Sequence, residues 1–172
     1  MLITSNDFTG TTRSAAADVS WHTTFALNGE HLAIFPVVDP NCHTGYQVTI
    51  FSQSNGQYKM YILRGADTSP EILMSHPECD DFADVTSLEV INSPLVTSIL
   101  PRYRLTFSLT PSGGNLLATA TLKDNQTGLT VASINNWSSA TPTSWYNVTA
   151  KRFGMGGVKA GTITYDNFVG QY

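Results

Sequence analysis

Along most of the chain, apolar and polar residues alternate with a period of two. In segment 102–110, Tyr103, Leu105, Phe107 and Leu109 fall on one face and Arg102, Arg104, Thr106 and Ser108 on the other, which predicts a half-buried β-strand. Segment 115–123 repeats the pattern with Leu116, Ala118, Ala120 and Leu122 inward, and Pro111-Ser112-Gly113-Gly114 supplies permissive backbone for a hairpin between the two. Asp124-Asn125-Gln126-Thr127-Gly128 then turns the chain into a third strand at 129–134, completing a meander. Upstream, strands at 45–52 and 57–64 flank Gln53-Ser54-Asn55-Gly56, whose Asn-Gly pair is a strong hairpin signal. Further strands are predicted at 21–27, 31–38, 87–92 and 162–170. Segment 66–86, with Pro70, Pro77 and an acidic run, reads as a long loop with room for one short strand.

No window carries an amphipathic helical stripe of useful length. Roughly ten to twelve short strands with regular turn signals predict an all-β chain folded as an antiparallel β-sandwich or a barrel. Without internal repeats, low-complexity segments or linkers, residues 1–172 read as a single β-sandwich domain, a length that suits one core.

Composition narrows the partners. Only 13% of residues are charged, while Thr (22) and Ser (16) abound. Much of the Thr suits pleated, half-exposed faces. The nine Lys and Arg are scattered and outnumbered by 13 Asp and Glu, so the basic stripe of a nucleic-acid binder is missing. No apolar run reaches the ~20 residues of a membrane helix, so membrane insertion is not predicted either. The start, Met1 to Phe8, lacks the basic and apolar regions of a secretory signal peptide. Cys42 and Cys79 form neither a C-x-x-C pair nor a zinc-spaced cluster. A disulfide between them would stabilise the fold by ~3–4 kcal/mol; unpaired and buried, they would act as small hydrophobes. Both readings stay open.

Candidate chemistry is sparse. Glycoside hydrolysis usually needs two carboxylates, about 5–5.5 Å apart for retention and about 6.5–9.5 Å for inversion. Glutamates occur only at 30, 71, 78 and 89, and Glu89 stands alone in its strand pattern. His22, His31, His43, Arg102, Tyr103 and Arg104 are residue types a lyase uses, but no spacing gathers them; Arg102 and Arg104 read as a solvated strand face. There is no Gly-x-Ser-x-Gly or His-Glu-x-x-His motif. Gly154-Met155-Gly156-Gly157 lacks the Lys and Ser/Thr of a phosphate loop and reads as a turn or bulge. No catalytic residue is assigned.

The stretch from Ile134 to Thr149 is richer. It places Asn136, Trp137, Trp145 and Tyr146 in a connection full of Ser, Thr and Asn, the mixture of aromatic faces and uncharged hydrogen-bonding groups that binds sugar rings. The competing reading is that either Trp plugs the end of the sandwich. Tyr46, Tyr58 and Tyr61 are further candidates to line a sheet face. Asn125, Asn136 and Asn147 head N-x-S/T sequons and are N-glycosylation candidates in a glycosylating host. A glycan on Asn136 would obstruct Trp137.

Asn6-Asp7-Phe8, Trp21, Leu27-Asn28-Gly29-Glu30-His31-Leu32-Ala33-Ile34, the glycine-rich Arg152 to Val158 and the closing Gly161 to Val169 resemble, in order, the concanavalin A-like lectin/glucanase superfamily. The resemblance implies a jelly roll like that of laminin-G-type modules. That superfamily includes sugar-binding modules, glycoside hydrolases, lyases and adhesion or assembly modules, so function rests on sites. The glucanases' Glu-x-Asp-x-x-Glu run is absent. The resemblance also implies a structural Ca²⁺ shared by an Asp in the last strand and a ligand near the first, here Asp166 and Asp7. The acidic loop Glu78 to Asp84 reads as solvated or metal-bound. The combined expectation is a non-catalytic, lectin-like module binding glycan or polysaccharide, extracellular or on a cell or particle surface. The rival is a structural module of a virion or appendage that self-associates. A polysaccharide lyase or glycoside hydrolase comes third.

Overall fold

The computed structural model describes residues 2–3, 13–21, 31–38, 45–52, 57–65, 83–91, 95, 98, 100–113, 115–139, 152–158 and 163–171. Among them run eleven strands: β1 (Leu2–Ile3), β2 (Arg13–Trp21), β3 (His31–Val38), β4 (Gly45–Ser52), β5 (Tyr58–Gly65), β6 (Ala83–Ile91), β7 (Tyr103–Ser112), β8 (Asn115–Asp124), β9 (Thr130–Ser139), β10 (Arg152–Val158) and β11 (Ile163–Gln171). They form two antiparallel sheets stacked as a sandwich, one ordered β1-β10-β3-β4-β5-β6 and the other β11-β2-β7-β8-β9. The chain is all-β, as its periodicity predicts, and no helix occurs among the described residues.

The two meanders, β3 to β6 and β7 to β9, supply the centre of each sheet. The last two strands return to the first: β10 inserts between β1 and β3, and β11 pairs with β2. At the other side β6 and β9 close the sandwich against each other.

Period-two patterning explains the core. Tyr103, Leu105, Phe107 and Leu109 of β7, and Leu116, Ala118, Ala120 and Leu122 of β8, are buried on the inner face, as alternation predicts. Opposite them lie Tyr46, Val48 and Ile50 of β4 and Tyr58, Met60 and Ile62 of β5. Full burial of each such Leu, Ile or Phe contributes about 1.5–3 kcal/mol. Trp21 sits at one end of this layer, edge-on to Tyr103 with ring centroids 5.7 Å apart and 6.2 Å from Tyr58.

Several boundaries differ from the sequence expectation. Strand β2 occupies 13–21, ahead of the predicted 21–27, of which residues 22–27 lie outside the described residues. Its inward positions are Ala15, Ala17, Val19 and Trp21, and alanine gives a weak alternation signal. Strand β6 begins at Ala83, so the end of the expected 66–86 loop is strand. Strand β9 runs on to Ser139, past the predicted 134, through a register shift opposite Ala118 and Ala120. The Gly154 to Gly157 cluster is strand β10, with its irregularity between Arg152 and Gly154 rather than a turn. The β7–β8 hairpin pairs Ser112 with Asn115, and Gly113 takes a positive φ of 56°. The β4–β5 pair lies where the sequence predicts it, with Ser52 opposite Tyr58 and β5 starting one residue later than the expected 57.

One close approach fixes how β11 packs. A Cβ on Gly170 would run into the ring of Phe153, which reaches across from β10 in the other sheet. Gly170→Ala is therefore expected to destabilise the protein by about 1–3 kcal/mol. The readout is a lower urea midpoint at unchanged denaturant slope; an unaltered midpoint would mean that the Phe153 ring moves aside freely.

Candidate functional site

The two outer faces differ in chemistry. On the five-stranded sheet, Ser14, Ser108 and Thr119 form one row across β2, β7 and β8, and Ala16, Thr106, Thr121 and Ser133 form the next across β2, β7, β8 and β9. All are part-exposed and none is longer than threonine. The hydroxyls of Thr106 and Thr121 hydrogen-bond to each other, a common cross-strand pairing.

Beyond this hydroxyl surface, Asp166, Asp18, Arg104 and Lys123 stand in register across four strands. The Asp18 carboxylate is the hub. It accepts bonds from Asn125 Nδ2 (3.2 Å) and Asn167 Nδ2 (2.8 Å) and pairs with Arg104 Nη1 at 3.2 Å. Arg104 also donates to the Asn167 carbonyl at 3.0 Å. Asn167 adopts a positive φ of 48° at the irregular register of β11, and its backbone N–H donates to Asp166 Oδ1 at 2.8 Å. Burial alone would raise the Asp18 pKa, but the bonds from Asn167 and Asn125 and the charge of Arg104 outweigh it and hold the carboxyl below the usual range.

A second clasp lies alongside. Asp124 accepts Arg102 Nη2 at 2.6 Å through one oxygen, and the backbone N–H groups of Gln126 (2.8 Å) and Thr127 (3.1 Å) through the other. Gly128, at φ 74°, donates to the Asp124 carbonyl and closes the predicted turn. Desolvation again pushes this carboxyl up, and the Thr127 and Gln126 amides with Arg102 more than reverse it. Arg102 and Arg104 are thus engaged by carboxylates, where the sequence suggested a merely solvated face.

Of the sequence candidates, Asn136 and Trp137 lie on β9, with Trp137 in register opposite Ala118, rather than in the expected connection. Trp145, Tyr146, Asn147, Asp7, Cys42 and Cys79, together with the Glu78 to Asp84 stretch short of β6, lie outside the described residues. Asn125 is exposed, yet its amide is spent on Asp18. Asp166 is exposed on β11 beside Asp18, whose oxygens are taken by amides and a guanidinium. The remaining oxygens of a Ca²⁺ shell at Asp166 would have to come from outside the described residues, Asp7 included. Among the described residues no three His, Cys, Asp or Glu side chains gather as metal ligands. Tyr46 and Tyr58 belong to the core, whereas Tyr61 is part-exposed on the outer face.

That outer face of the six-stranded sheet carries a group that sequence reasoning missed. With Tyr46, Val48 and Ile50 facing inward, Gln47, Thr49 and Phe51 face outward on β4, and so do Lys59, Tyr61 and Leu63 on β5. Register sets Phe51 opposite Lys59 and Thr49 opposite Tyr61. The Phe51 and Tyr61 rings meet edge to face, centroids 5.3 Å apart at 82°. Thr49, fully buried, donates its hydroxyl to Gln47 Oε1 at 3.1 Å. The available signal was Phe51 itself, an aromatic out of phase with the apolar face of its strand.

No family model and no curated protein matches the sequence. Among solved structures, the fold is similar to the enzymatically active domain of bacteriophage CBA120 tailspike protein 2, at 14% identity and a TM-score of 0.59, covering 98% of this chain and 23% of that one. It is also similar to full-length tailspike protein 2 from Escherichia coli O157:H7 bacteriophage CAB120 (15% identity, TM-score 0.52, 88% of this chain and 18% of that one). A third likeness is to the CBM2 module of the evolved Dit of Lactobacillus casei BL23 phage J-1, at 12% identity and a TM-score of 0.49, covering 91% of this chain and 60% of that one. The chain spans less than a quarter of either tailspike chain. At these identities the likeness to the tailspike chains shows the all-β sandwich fold and nothing further.

The carboxylate clasps carry a pH signature. Because the folded-state pKa of Asp18 and of Asp124 lies below the unfolded value near ~3.9, their stabilisation is complete above that value and is lost as pH falls through the folded pKa. Asp18→Asn should lower stability at pH 7 by about 1 kcal/mol and flatten the loss of stability below about pH 4. Urea unfolding across pH 2–7 measures both; an acid slope equal to wild type would remove Asp18 from the account.

Proposed function

We propose that the chain is a non-catalytic glycan-binding module carried on a particle surface, of the kind built into bacteriophage appendages. The observation that carries this reading is that 98% of the chain matches the fold of one segment of a phage tailspike. The enzymatic domain named for that tailspike belongs to a far longer chain, so its activity is not carried over. Asn136 and Trp137, on edge strand β9, act with Trp145 and Tyr146 from the segment that follows, stacking sugar rings on aromatic faces and bonding their hydroxyls with uncharged groups. Kinship with the concanavalin A-like superfamily and a structural Ca²⁺ at Asp7 and Asp166 belong to the same proposal. A second reading, assembly against copies or neighbouring segments, is favoured by the embedding of the similar fold within longer tailspike chains.

Affinity electrophoresis through a panel of polysaccharides tests the binding role. At least one polymer should retard the protein, and Trp137→Ala or Trp145→Ala should weaken retardation about tenfold. Retention on none would overturn the glycan reading, and retention unchanged in both variants would overturn the assigned residues. Light scattering that finds only monomer at high concentration would count against assembly.

The Ca²⁺ assignment has its own readout. Millimolar Ca²⁺ should raise the thermal midpoint, a chelator should reverse the rise, and Asp166→Asn should abolish it. An identical midpoint with Ca²⁺ and with chelator would dismiss the ion.

A further inference from the structure

We propose that the outer face of the five-stranded sheet is a self-complementary surface, on which a second copy of the chain docks about a two-fold axis running along the strands between β2 and β7. The proposal rests on the assembly reading above and deepens it. Unlike the outer face of the six-stranded sheet, where Ala33, Phe35 and Thr49 are buried, this face is open: every outward side chain on β7 from Arg104 to Thr110, and on β8 from Leu117 to Lys123, is exposed or part-exposed. It is also flat. The register shift of β11 turns Val169, 40% exposed, outward into the row of Ala16, Thr106 and Thr121, and no side chain in that row is longer than threonine. The Thr106 and Thr121 hydroxyls already bond each other and Asp18 already pairs with Arg104, so a neighbour strips little water from unsatisfied groups. Five strands about 4.8 Å apart, each nine or ten residues long at about 3.3 Å per residue, give a footprint of roughly 700 Å² per copy, close to what a stable interface takes from each partner.

The charges choose the occupant and its orientation. Asp166, Asp18, Arg104 and Lys123 stand in one row across β11, β2, β7 and β8, so the sign along it runs minus, minus, plus, plus. A two-fold axis parallel to the strands and between β2 and β7 reverses that order in the facing copy. Asp18 then meets the partner's Arg104, and Asp166 meets the partner's Lys123. The next rows follow, with Ala16 against the partner's Thr106 and Ser14 against the partner's Ser108. An axis across the strands would instead set each charge of this row on its own counterpart, four like pairs side by side. Within one chain Arg104 and Lys123 are direct cross-strand neighbours of the same sign, an unfavourable pairing that two facing carboxylates relieve. Among the described residues Arg102 and Arg104 form ion pairs, whereas Lys123 and Asp166 form none. The charged row sets orientation and register, and the apolar contact comes from Val169, Leu117, Ala16 and the threonine methyl groups. A two-fold pair of identical faces is the commonest form of protein self-association.

Sedimentation equilibrium of the full chain tests the pairing, in chelator so that metal at Asp166 plays no part, and with thermal unfolding as the folding control. The wild type should form a concentration-dependent dimer that weakens as salt rises. Asp166→Lys and Lys123→Asp, both at exposed positions, should each weaken the dimer at least about tenfold, because each sets like charges together twice. Mixing the two variants should restore association, since every facing pair is then opposite in sign. Rescue on mixing cannot arise within one chain, so it identifies a contact between copies. Ser108→Arg, which holds the two flat faces apart, should leave the chain monomeric. A wild-type chain that stays monomeric at high concentration would overturn the proposal and weigh against the assembly reading as well. A dimer indifferent to Ser108→Arg and to both charge reversals would overturn this face while the assembly reading stands. A mixture of the two reversed variants that stays monomeric, or a wild-type trimer, would overturn the two-fold pairing.

Discussion

The two sheets are stitched together by one buried phenol. Tyr165 belongs to β11, at the edge of the five-stranded sheet, yet its hydroxyl donates to the Gly156 carbonyl and accepts the Ala33 N–H at 3.3 Å, both in the six-stranded sheet. Gly156 and Ala33 face each other in the β10–β3 ladder, so the phenol serves a polar pair that a core would otherwise leave wanting. Burial drives its ionisation far above the ordinary phenol value, against the opposing bond from Ala33, and the group remains a neutral donor at every working pH. Strands β10 and β11, threaded back to the start of the chain, make this contact together with β3, and the Phe153–Gly170 approach links β10 and β11 again in apolar form.

With the interior settled by that closure, the outer faces are free to differ. The five-stranded face satisfies itself through the Thr106–Thr121 bond and the Asp18 and Asp124 clasps. Those clasps bind the ends of β2, β7 and β8 to the 124–129 turn, with Arg102 N–H also donating to the Val19 carbonyl at 3.0 Å. Its polar groups are largely consumed by the protein. The outer face of the six-stranded sheet is instead buried at Ala33, Phe35 and Thr49, with the Phe51 and Tyr61 rings packed edge to face beside them.

What the sequence made legible was whatever is local. The β7–β8 hairpin, its inward Tyr103, Leu105, Phe107 and Leu109, and the turn capped by Asp124 follow from alternation and turn chemistry within about thirty residues. Strand β2 escaped because Ala15 and Ala17 carry little contrast with Ser14 and Ala16. The Asp18 hub escaped for a different reason: its partners Asn125 and Asn167 lie 107 and 149 positions away, and only topology joins them. Phe51 and Tyr61 were each visible, but their meeting depends on the β4–β5 register, which alternation alone does not fix. Trp137 read as part of a loop because polar Asn135, Asn136 and Ser138 mask the continuation of β9.

The scarcity of charge takes on a mechanical meaning in this light. An exposed ion pair contributes little on average, whereas a carboxylate holding several N–H donors is worth keeping, because it orders backbone from separate strands at once. Arg102, Arg104, Asp18 and Asp124 are used in that way. Charge spent on the fold is not available for recognition, and the face left over is made of hydroxyls, amides and rings. Under the proposed glycan reading, such a surface would meet sugar hydroxyls and C–H faces without stripping water from ions of its own.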